Sequence, residues 1–451
     1  MLKRTIEERL ISWKNDENKK ALCILGTRQV GKTTIVREFA QKHYECFVEI
    51  NFTRDADAYK IFEGSFIPND IIEKLTAYTF QTLVPNHTLV FLDEIQDCPR
   101  ARAAIKFLVE DGRFDYIESG SLLGLRSKEI PSYAVGFEEI VAMVPMDFYE
   151  FAVANGLKPS TYALLENCYE EEKEVPELIH GTMLKLFYAY IVVGGMPDVV
   201  QTYIDTHDIA RVVERQKAIL DLYRLDIAKY AKGSDKKKIQ SIFDCIPSQL
   251  NSKNRRFFLS MVDQHARMER YENAFLWLSD AGVAYPVYNV REPQAPLVLN
   301  ENRSLLKLFM NDTGLLCAAC MDPIQFDVLN GNVSINMGSI LENVMAQALK
   351  SNGFDLYYYD SKKYGEVDFV IQRGMDIDLI EIKSGNDYEH HLSLDKMMKI
   401  EAWKFKRRIV FNKGNVKKDG DLNYFPWYMV MFYKPYSLPE SMIYEVDMGE
   451  L

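Results

Sequence analysis

The sequence has no long apolar run, few cysteines and no secretory leader. Its 451 residues contain no stretch of about 18 uncharged apolar residues, the length that crosses a bilayer. The first twenty residues are charged and predict an amphipathic helix instead of a secretory signal. The seven cysteines are scattered and odd in number, which is untypical of a disulfide framework in a chain of this size. We therefore expect a cytoplasmic protein without membrane contact.

Basic residues are also outnumbered by acidic ones. The formal net charge is −11, which argues against nucleic-acid binding driven by overall charge. Two short basic segments, 229–238 and 253–256, leave room for a local phosphate-binding surface, although a solvated helix end explains either segment equally well. If DNA is a partner, the candidate contacts are Lys253, Arg255, Arg256 and Arg267.

The arrangement of apolar segments predicts several domains. At about 100–200 residues per domain, the length suggests about two to four of them. Residues 1–160 alternate short apolar runs with helical patterns, which is typical of a parallel α/β sheet with helices on both faces. Residues 161–235 are helical, and 236–310 show three amphipathic stretches followed by a hairpin, the outline of a winged helix. Residues 311–451 return to mixed helix and strand.

A glycine-rich loop carries the clearest chemistry. Residues 26–34 read GTRQVGKTT, which fits G-x-x-x-x-G-K-[ST] and lies between an apolar strand and a helix. The backbone N–H groups of such a loop and the positive end of the following helix bind phosphate. Lys32 is expected to reach the β- and γ-phosphates of ATP, and Thr33 to bind Mg²⁺. The predicted nucleotide contacts are Gly26, Thr27, Arg28, Gln29, Val30, Gly31, Lys32, Thr33 and Thr34.

An acidic pair follows about sixty residues later. The segment 88–96 (TLVFLDEIQ) predicts a strand that ends at Asp93 and Glu94. Asp93 is expected to hold Mg²⁺ together with the loop, and Glu94 to polarise the attacking water. The next predicted strand ends in ESGS, where Ser119 or Ser121 could sense the γ-phosphate. An ordinary turn explains these two serines equally well.

A second candidate site lies near the C-terminus. Asp368 and Glu381 occur in two alternating apolar runs that predict antiparallel strands, and Lys383 shares a strand face with Glu381. Two carboxylates and a lysine form the minimal set for Mg²⁺-assisted phosphodiester hydrolysis, with Asp368, Glu381 and Glu342 of the preceding helix as candidate metal ligands. Alternating charges on a half-exposed strand are the alternative explanation.

These motifs resemble those of known families. The phosphate loop, the acidic pair and the strand that ends in Gly-Ser resemble the AAA+ ATPases. The chain looks more narrowly like a prokaryotic family that joins such an ATPase to a C-terminal nuclease-like domain. The D…E-x-K pattern is similar to that of the PD-(D/E)XK nuclease fold. Further matches to the narrower family are PMDFYEFAVANG (145–156), VVGGMPDVV (192–200), DLYRLDIAKY (221–230, with Arg224 and Asp226) and KLFMNDTGLL (307–316).

The resemblance implies an α/β fold class in four parts. These are a P-loop AAA+ core with a parallel sheet (1–160), a helical lid (161–235), a winged-helix segment (236–310) and an α/β restriction-endonuclease-like domain (311–451). One departure concerns an arginine that many relatives carry before the segment 145–156, because the stretch 133–140 (YAVGFEEI) has none. Arg126, Arg100 or a neighbouring subunit of a homo-oligomer could supply this arginine, which in other ATPases contributes about 10³–10⁵ in rate.

Three functions are consistent with these features. The leading one is a Mg²⁺-dependent ATPase that acts as a nucleotide switch coupled to a DNA-directed winged-helix and nuclease-like module. The first alternative is an ATP-gated, Mg²⁺-dependent DNA nuclease. The second is a signalling or scaffold NTPase whose nuclease-like domain is inactive and binds a protein partner.

Overall fold

The computed structural model describes residues 2–120, 136–231, 235–251, 256–264, 267–320, 325–331, 337–385, 388–437 and 443. Four residues named above lie outside these ranges, namely Ser121, Arg126, Lys253 and Arg255. All seven cysteines are free thiols. In the described ranges, no helix combines the length and the apolar character that a membrane span requires.

The N-terminal part forms the parallel sheet that the sequence predicts. Its elements are α1 (Ile6–Lys14), β1 (Ala21–Leu25), α2 (Lys32–His43), β2 (Cys46–Asn51), α3 (Pro68–Thr79), β3 (Thr88–Asp93), α4 (Pro99–Asp111), β4 (Asp115–Gly120) and β5 (Glu138–Ala142). Among the described residues the strand order is β2-β3-β4-β1-β5, and all neighbouring strands are parallel. Strand β1 therefore ends at the same edge as β3, with β4 between them.

Helices cover both faces of this sheet, which explains why β1 and β3 are nearly continuous apolar runs that are buried throughout. Leu22 and Ile24 of β1 belong to the hydrophobic cluster that contains the buried side of α2. Cys23 and Leu25 point the other way and belong to the cluster that contains the buried side of α4. The alternation of side chains along a strand thus places successive residues of β1 in two separate cores.

The middle of the chain is helical, as the sequence predicts. Its helices are α5 (Phe148–Ala154), α6 (Pro159–Glu170), α7 (Glu177–Val193), α8 (Pro197–Thr206) and α9 (Ile209–Tyr230). The last seven residues of α7 are all buried, so this helix ends in the centre of the molecule. It stops at Gly194, whose φ of +76° lies in the region that favours glycine.

The predicted winged-helix segment does not stand as a separate module. It contains α10 (Asp235–Leu250), α11 (Glu272–Asp280), β6 (Ala284–Val290) and β7 (Glu301–Met310). The second expected helix is only a single 3₁₀ turn at Leu259–Met261 in the described residues. The hairpin β6–β7 is present, but the far edge of β6 pairs with another strand, β8 (Tyr357–Ser361). Because that edge needs a hydrogen-bonding partner, the hairpin extends the C-terminal sheet.

The C-terminal part is built around this larger sheet. It adds α12 (Thr313–Cys320), α13 (Gln325–Leu329), α14 (Met337–Ser351), β9 (Gly365–Arg373), β10 (Asp376–Ile382), α15 (Leu392–Met397), β11 (Arg407–Asn412), β12 (Lys417–Asp419) and β13 (Leu422–Pro426). In the described residues the order is β12-β13-β11-β10-β9-β8-β6-β7. The strands β8, β9 and β10 are antiparallel, whereas β11 runs parallel to β10. The sequence predicts β11 as the final strand, but two more follow it.

Candidate functional site

The glycine-rich loop between β1 and α2 has the backbone that the motif requires. Gly31 has a φ of +93° and directly precedes the first residue of α2. A Cβ on Gly26 would lie 2.2 Å from the carbonyl oxygen of Met143, so only glycine fits there. The non-glycine residue Gln29 also has a positive φ, of 64°. The loop is thus wrapped tightly around the N-terminus of α2.

Lys32 lies inside this loop. Its Nζ donates to the carbonyl oxygens of Gly26 and Thr27, both at 3.0 Å. The side chain is almost fully buried, and burial lowers the pKa of its ammonium group, while the charges of Glu94 and Asp93 oppose this shift. An ammonium that is held only by backbone carbonyls can exchange them for phosphate oxygens, which are stronger acceptors.

Asp93 at the end of β3 collects the polar groups around it. The Thr33 hydroxyl donates to its Oδ2 at 3.0 Å, and the Asn51 amide donates to the same oxygen at 2.8 Å. The structure therefore brings together the two predicted Mg²⁺ ligands, Thr33 and Asp93. Asn51 was missed by sequence reasoning, although a polar residue at the end of β2, next to β3, is a signal that could have been used.

Ser119 and Glu94 flank this carboxylate. The buried Ser119 hydroxyl donates to Asp93 Oδ1, so in this structure it orients the carboxylate. Glu94 has a φ of 55°, a left-handed conformation that is uncommon for glutamate and clusters at functional sites. Its carboxylate accepts from the amide of Gln96. The roles predicted for Ser119 and Glu94 remain predictions.

Arg4 holds the phosphate loop in place, although none of the sequence motifs includes this residue. Its guanidinium donates to the carbonyl oxygens of Val30 at 2.9 Å and Val144 at 2.7 Å. It also pairs with Glu150 at 3.0 Å. Both charged side chains are buried, so each depends on the other for compensation. Glu150 belongs to the segment 145–156, which thereby gains a structural role.

The three predicted C-terminal residues also come together. The pairing of Phe369 with Ile380 places Asp368 and Glu381 next to each other on β9 and β10. Asp368 Oδ2 accepts from the backbone N–H of Ile382 at 2.8 Å, and Lys383 forms an ion pair with Glu381. Burial, together with the nearby charge of Asp368, raises the pKa of Glu381 to about 7.

Glu342 of α14 reaches the same region through a lysine that the sequence reasoning missed. Its Oε2 lies 3.2 Å from Nζ of Lys307, which belongs to β7 and is fully buried. The same ammonium lies 2.6 Å from Glu366 Oε1 and 3.9 Å from Asp368 Oδ1. A lysine between Leu306 and Leu308 in an apolar strand is a signal for such a buried ion cluster.

The candidate DNA contacts are only partly described. Arg256 forms an ion pair with Asp360 at the end of β8, so its charge is already used within the protein. Arg267 is exposed. Lys253 and Arg255 lie outside the described residues.

Three family models match separate parts of the chain. Residues 18–152 match the family described as AAA domain. The chain therefore carries an AAA domain. Residues 184–325 match a domain of unknown function, DUF8612, and residues 337–429 match another, DUF4143. No curated protein matches the sequence.

Several solved structures resemble the chain at low identity. A Walker-type ATPase of Pyrococcus abyssi is 14% identical, with a TM-score of 0.40 over 71% of this chain and 96% of that chain. The Orc1 protein of Aeropyrum pernix in complex with DNA is 13% identical, with a TM-score of 0.28 over 72% and 90%. The Holliday junction branch migration motor RuvB of Thermotoga maritima is 12% identical, with a TM-score of 0.30 over 68% and 92%.

Two arginines of the AAA domain have defined partners. Arg28 of the phosphate loop forms an ion pair with Asp226 of α9 at 3.0 Å and donates to the Tyr230 hydroxyl at 3.2 Å. Arg100, one candidate for the catalytic arginine, donates to the carbonyl oxygens of Phe62 at 2.8 Å and Gly64 at 2.7 Å. The other candidate in the chain, Arg126, lies outside the described residues.

Asp312 joins the AAA domain to the C-terminal part. Its carboxylate is fully buried and accepts from the backbone N–H of Gly195 at 2.6 Å and of Leu315 at 3.0 Å. Gly195 in turn accepts from the N–H of Met146, just beyond β5, at 2.7 Å. On the other side, Thr313 donates through its backbone N–H to Gln347 of α14 at 2.9 Å. The segments 145–156, 192–200 and 307–316, which resemble the narrower family, are thus connected by hydrogen bonds through Gly195 and Asp312.

Proposed function

We propose that the protein is a Mg²⁺-dependent ATPase that acts as a nucleotide switch on its C-terminal part. The observation that carries this proposal is the hydrogen bond between Thr33 and Asp93, formed beside a buried Lys32 in a loop that matches the phosphate-binding motif. A hydroxyl and a carboxylate are hard oxygen ligands that suit Mg²⁺. The AAA domain match over residues 18–152 supports the same assignment.

Each residue of the site has a task in this reaction. Lys32 would exchange its two carbonyl partners for oxygens of the β- and γ-phosphates. Thr33 and Asp93 would hold Mg²⁺, which offsets the negative charge of the phosphates. Glu94 would accept a proton from the attacking water, and Ser119 keeps the Asp93 carboxylate in a fixed orientation.

Two chains of contacts lead away from the phosphate loop. One runs from Arg28 to Asp226 and along α9. The other runs from the end of β5 through Gly195 and Asp312 to α14, the helix that carries Glu342. A change in the loop on ATP binding can therefore alter the packing of the C-terminal sheet through discrete hydrogen bonds.

The target of the switch is proposed to be DNA. The order α14, β8, β9, β10, α15, β11, with three antiparallel strands followed by a parallel one, supports the nuclease-like fold inferred for residues 311–451. The positions of Asp368 on β9 and Glu381 on the neighbouring strand β10 fit the same fold. A DNA-directed module would link ATP turnover to nucleic acid.

The test is an ATPase assay on the full chain with and without DNA. Lys32→Ala should abolish turnover, because the phosphates lose their only buried ammonium partner within the described part of the loop. Lys42→Ala is a matched control, since Lys42 lies on the same helix but pairs with Glu7 at the surface. Turnover that survives in Lys32→Ala would refute the ATPase. Turnover that is insensitive to DNA at low salt would refute the DNA-directed switch and leave the ATPase intact.

The scaffold alternative is favoured by one observation, the ammonium of Lys307 among the C-terminal carboxylates. In that alternative the C-terminal part binds a protein and cuts nothing. Cleavage of plasmid, linear or single-stranded DNA with Mg²⁺ or Mn²⁺, lost in Asp368→Ala, would exclude it.

A further inference from the structure

Lys307 is a fully buried lysine in the middle of a group of carboxylates. Its Nζ lies 2.6 Å from Glu366 Oε1, 3.2 Å from Glu342 Oε2 and 3.9 Å from Asp368 Oδ1. The ammonium also lies 5.1 Å from the centre of the Tyr358 ring. A buried ammonium is strongly disfavoured unless anionic groups surround it, and here they do.

The side chain reaches this position from the far edge of the sheet. Lys307 pairs with Val287 of β6, and β6 and β8 separate its strand from β9, which carries Glu366 and Asp368. The ammonium therefore connects β7 to β9 and to Glu342 of α14. It ties the hairpin β6–β7 to the strands that carry the predicted nuclease residues.

The ammonium group of Lys307 thus lies within ion-pair distance of Glu342 and Asp368, two of the three predicted metal ligands. The oxygens around one Mg²⁺ ion lie about 2.1 Å from it, and so no more than about 4.2 Å from one another. Among the described residues, the one group of three potential ligands with all ligand atoms within 4.8 Å is Cys23, Glu118 and Glu138, in the AAA domain. Glu342, Asp368 and Glu381 do not form such a group, so the three carboxylates cannot ligate one divalent ion together in this arrangement.

We propose that Lys307 is the resident cation of the C-terminal carboxylate cluster and that it excludes divalent metal ions from the predicted nuclease site. The ammonium supplies positive charge at the place where a metal-dependent nuclease needs its ion. The C-terminal part then keeps the arrangement of a nuclease-like fold without its metal chemistry. This inference is independent of ATP hydrolysis, because it concerns only the C-terminal sheet and α14.

The test measures binding of Mn²⁺ alone to the nucleotide-free full chain by electron paramagnetic resonance. The wild type should show no bound Mn²⁺ that depends on Asp368. Lys307→Met keeps an unbranched side chain of similar length and removes its charge. This variant should gain such a site and bind Mn²⁺ at least about tenfold more tightly than the wild type does. The added substitution Asp368→Asn should abolish that gain. Lys350→Met is the matched control, because it removes a lysine from α14 that pairs with Asp355 at the surface.

Two results would overturn the inference. The first is a wild-type chain that binds Mn²⁺ at a site lost in Asp368→Asn, a measurement that does not depend on the folding of any Lys307 variant. The second is a Lys307→Met chain with wild-type circular dichroism that binds no more Mn²⁺ than Lys350→Met does.

Discussion

Arg28 of the phosphate loop and Asp226 of α9 form an ion pair, with 3.0 Å between Nε and Oδ2. Burial raises the pKa of Asp226, while the charges of Arg28 and Lys32 oppose this shift. Asp226 is thus an acidic group within electrostatic range of the lysine that would bind the triphosphate. An anion at this position disfavours a second anion, and the ion pair also removes Arg28 from contact with phosphate.

Substitutions in this pair should change ATP affinity in opposite directions. Asp226→Asn removes the repelling charge and releases Arg28, so fluorescent ATP analogues should bind about threefold to tenfold more tightly. Arg28→Ala should weaken binding by a similar factor. Asp221→Asn is the control on the same helix, because Asp221 pairs with Arg224 instead. Weaker nucleotide binding by Asp226→Asn would contradict the role assigned to the pair.

The buried pair of Arg4 and Glu150 should be a main source of stability for the loop. Arg4→Ala leaves Glu150 buried without its cationic partner and removes two donors to backbone carbonyls, so the free energy of unfolding should fall by about 3–5 kcal/mol. Arg9→Ala breaks an exposed pair with Glu139 and should cost no more than about 1 kcal/mol. Chemical denaturation of both variants measures the difference. Equal losses in the two variants would show that Arg4 has no special role.

The loop proposed to bind nucleotide could be recognised in the sequence because most of its residues belong to one short motif. Gly26, Lys32 and Thr33 follow each other in a single loop, and Asp93 is recognisable as the end of an apolar strand. The pair of Arg28 and Asp226 could not be predicted, because it depends on how α9 packs against the loop. The parallel sheet could be predicted because its strands β1 and β3 are apolar runs that are buried on both faces.

Only those residues of the C-terminal site that lie on one hairpin could be predicted from the sequence. Asp368 and Glu381 belong to neighbouring strands of one hairpin, so their closeness follows from alternation and pairing. Lys307 was missed because the hairpin β6–β7 was assigned to a separate winged helix. The pairing of β6 with β8 joins the two regions into one sheet, and no local pattern in the sequence indicates that pairing.

Gly195 should tolerate no side chain. A Cβ at this position would lie 2.0 Å from the carbonyl oxygen of Met146, a backbone atom that cannot move without disturbing the end of β5. Gly195→Ala should therefore lower the free energy of unfolding by at least about 2 kcal/mol. Gly181→Ala is the control, because Gly181 lies within α7 and a Cβ there meets nothing within 4 Å. That variant should be neutral or more stable by about 0.5–1 kcal/mol, and a similar result for Gly195→Ala would contradict the close packing.

Asp312 should make the stability of the protein depend on pH. Burial raises the pKa of its carboxyl group from the ordinary value of 3.8 to about 6, although four hydrogen bonds from its neighbours oppose this shift. When folding raises the pKa of a carboxyl group, the folded state is most stable at low pH, where the group is protonated in the folded and the unfolded chain. Ionisation at higher pH then costs more in the folded state than in the unfolded state. Its contribution is therefore complete below about pH 4 and is lost as the pH rises through 6, a change of about 3 kcal/mol in the free energy of unfolding.

Asp312→Asn isolates this contribution, because other carboxyl groups titrate in both proteins. Both carboxylate oxygens of Asp312 accept backbone N–H groups, and asparagine would place an N–H₂ donor against one of them. This unpaired donor should lower the free energy of unfolding of the variant by about 1–3 kcal/mol at every pH. The wild type alone loses stability through the ionisation of Asp312. The difference in unfolding free energy between the two proteins should therefore be largest near pH 4 and should narrow towards pH 7. Denaturant titrations across this range measure the difference, and a constant gap would show that Asp312 ionises in the folded protein as readily as in the unfolded chain.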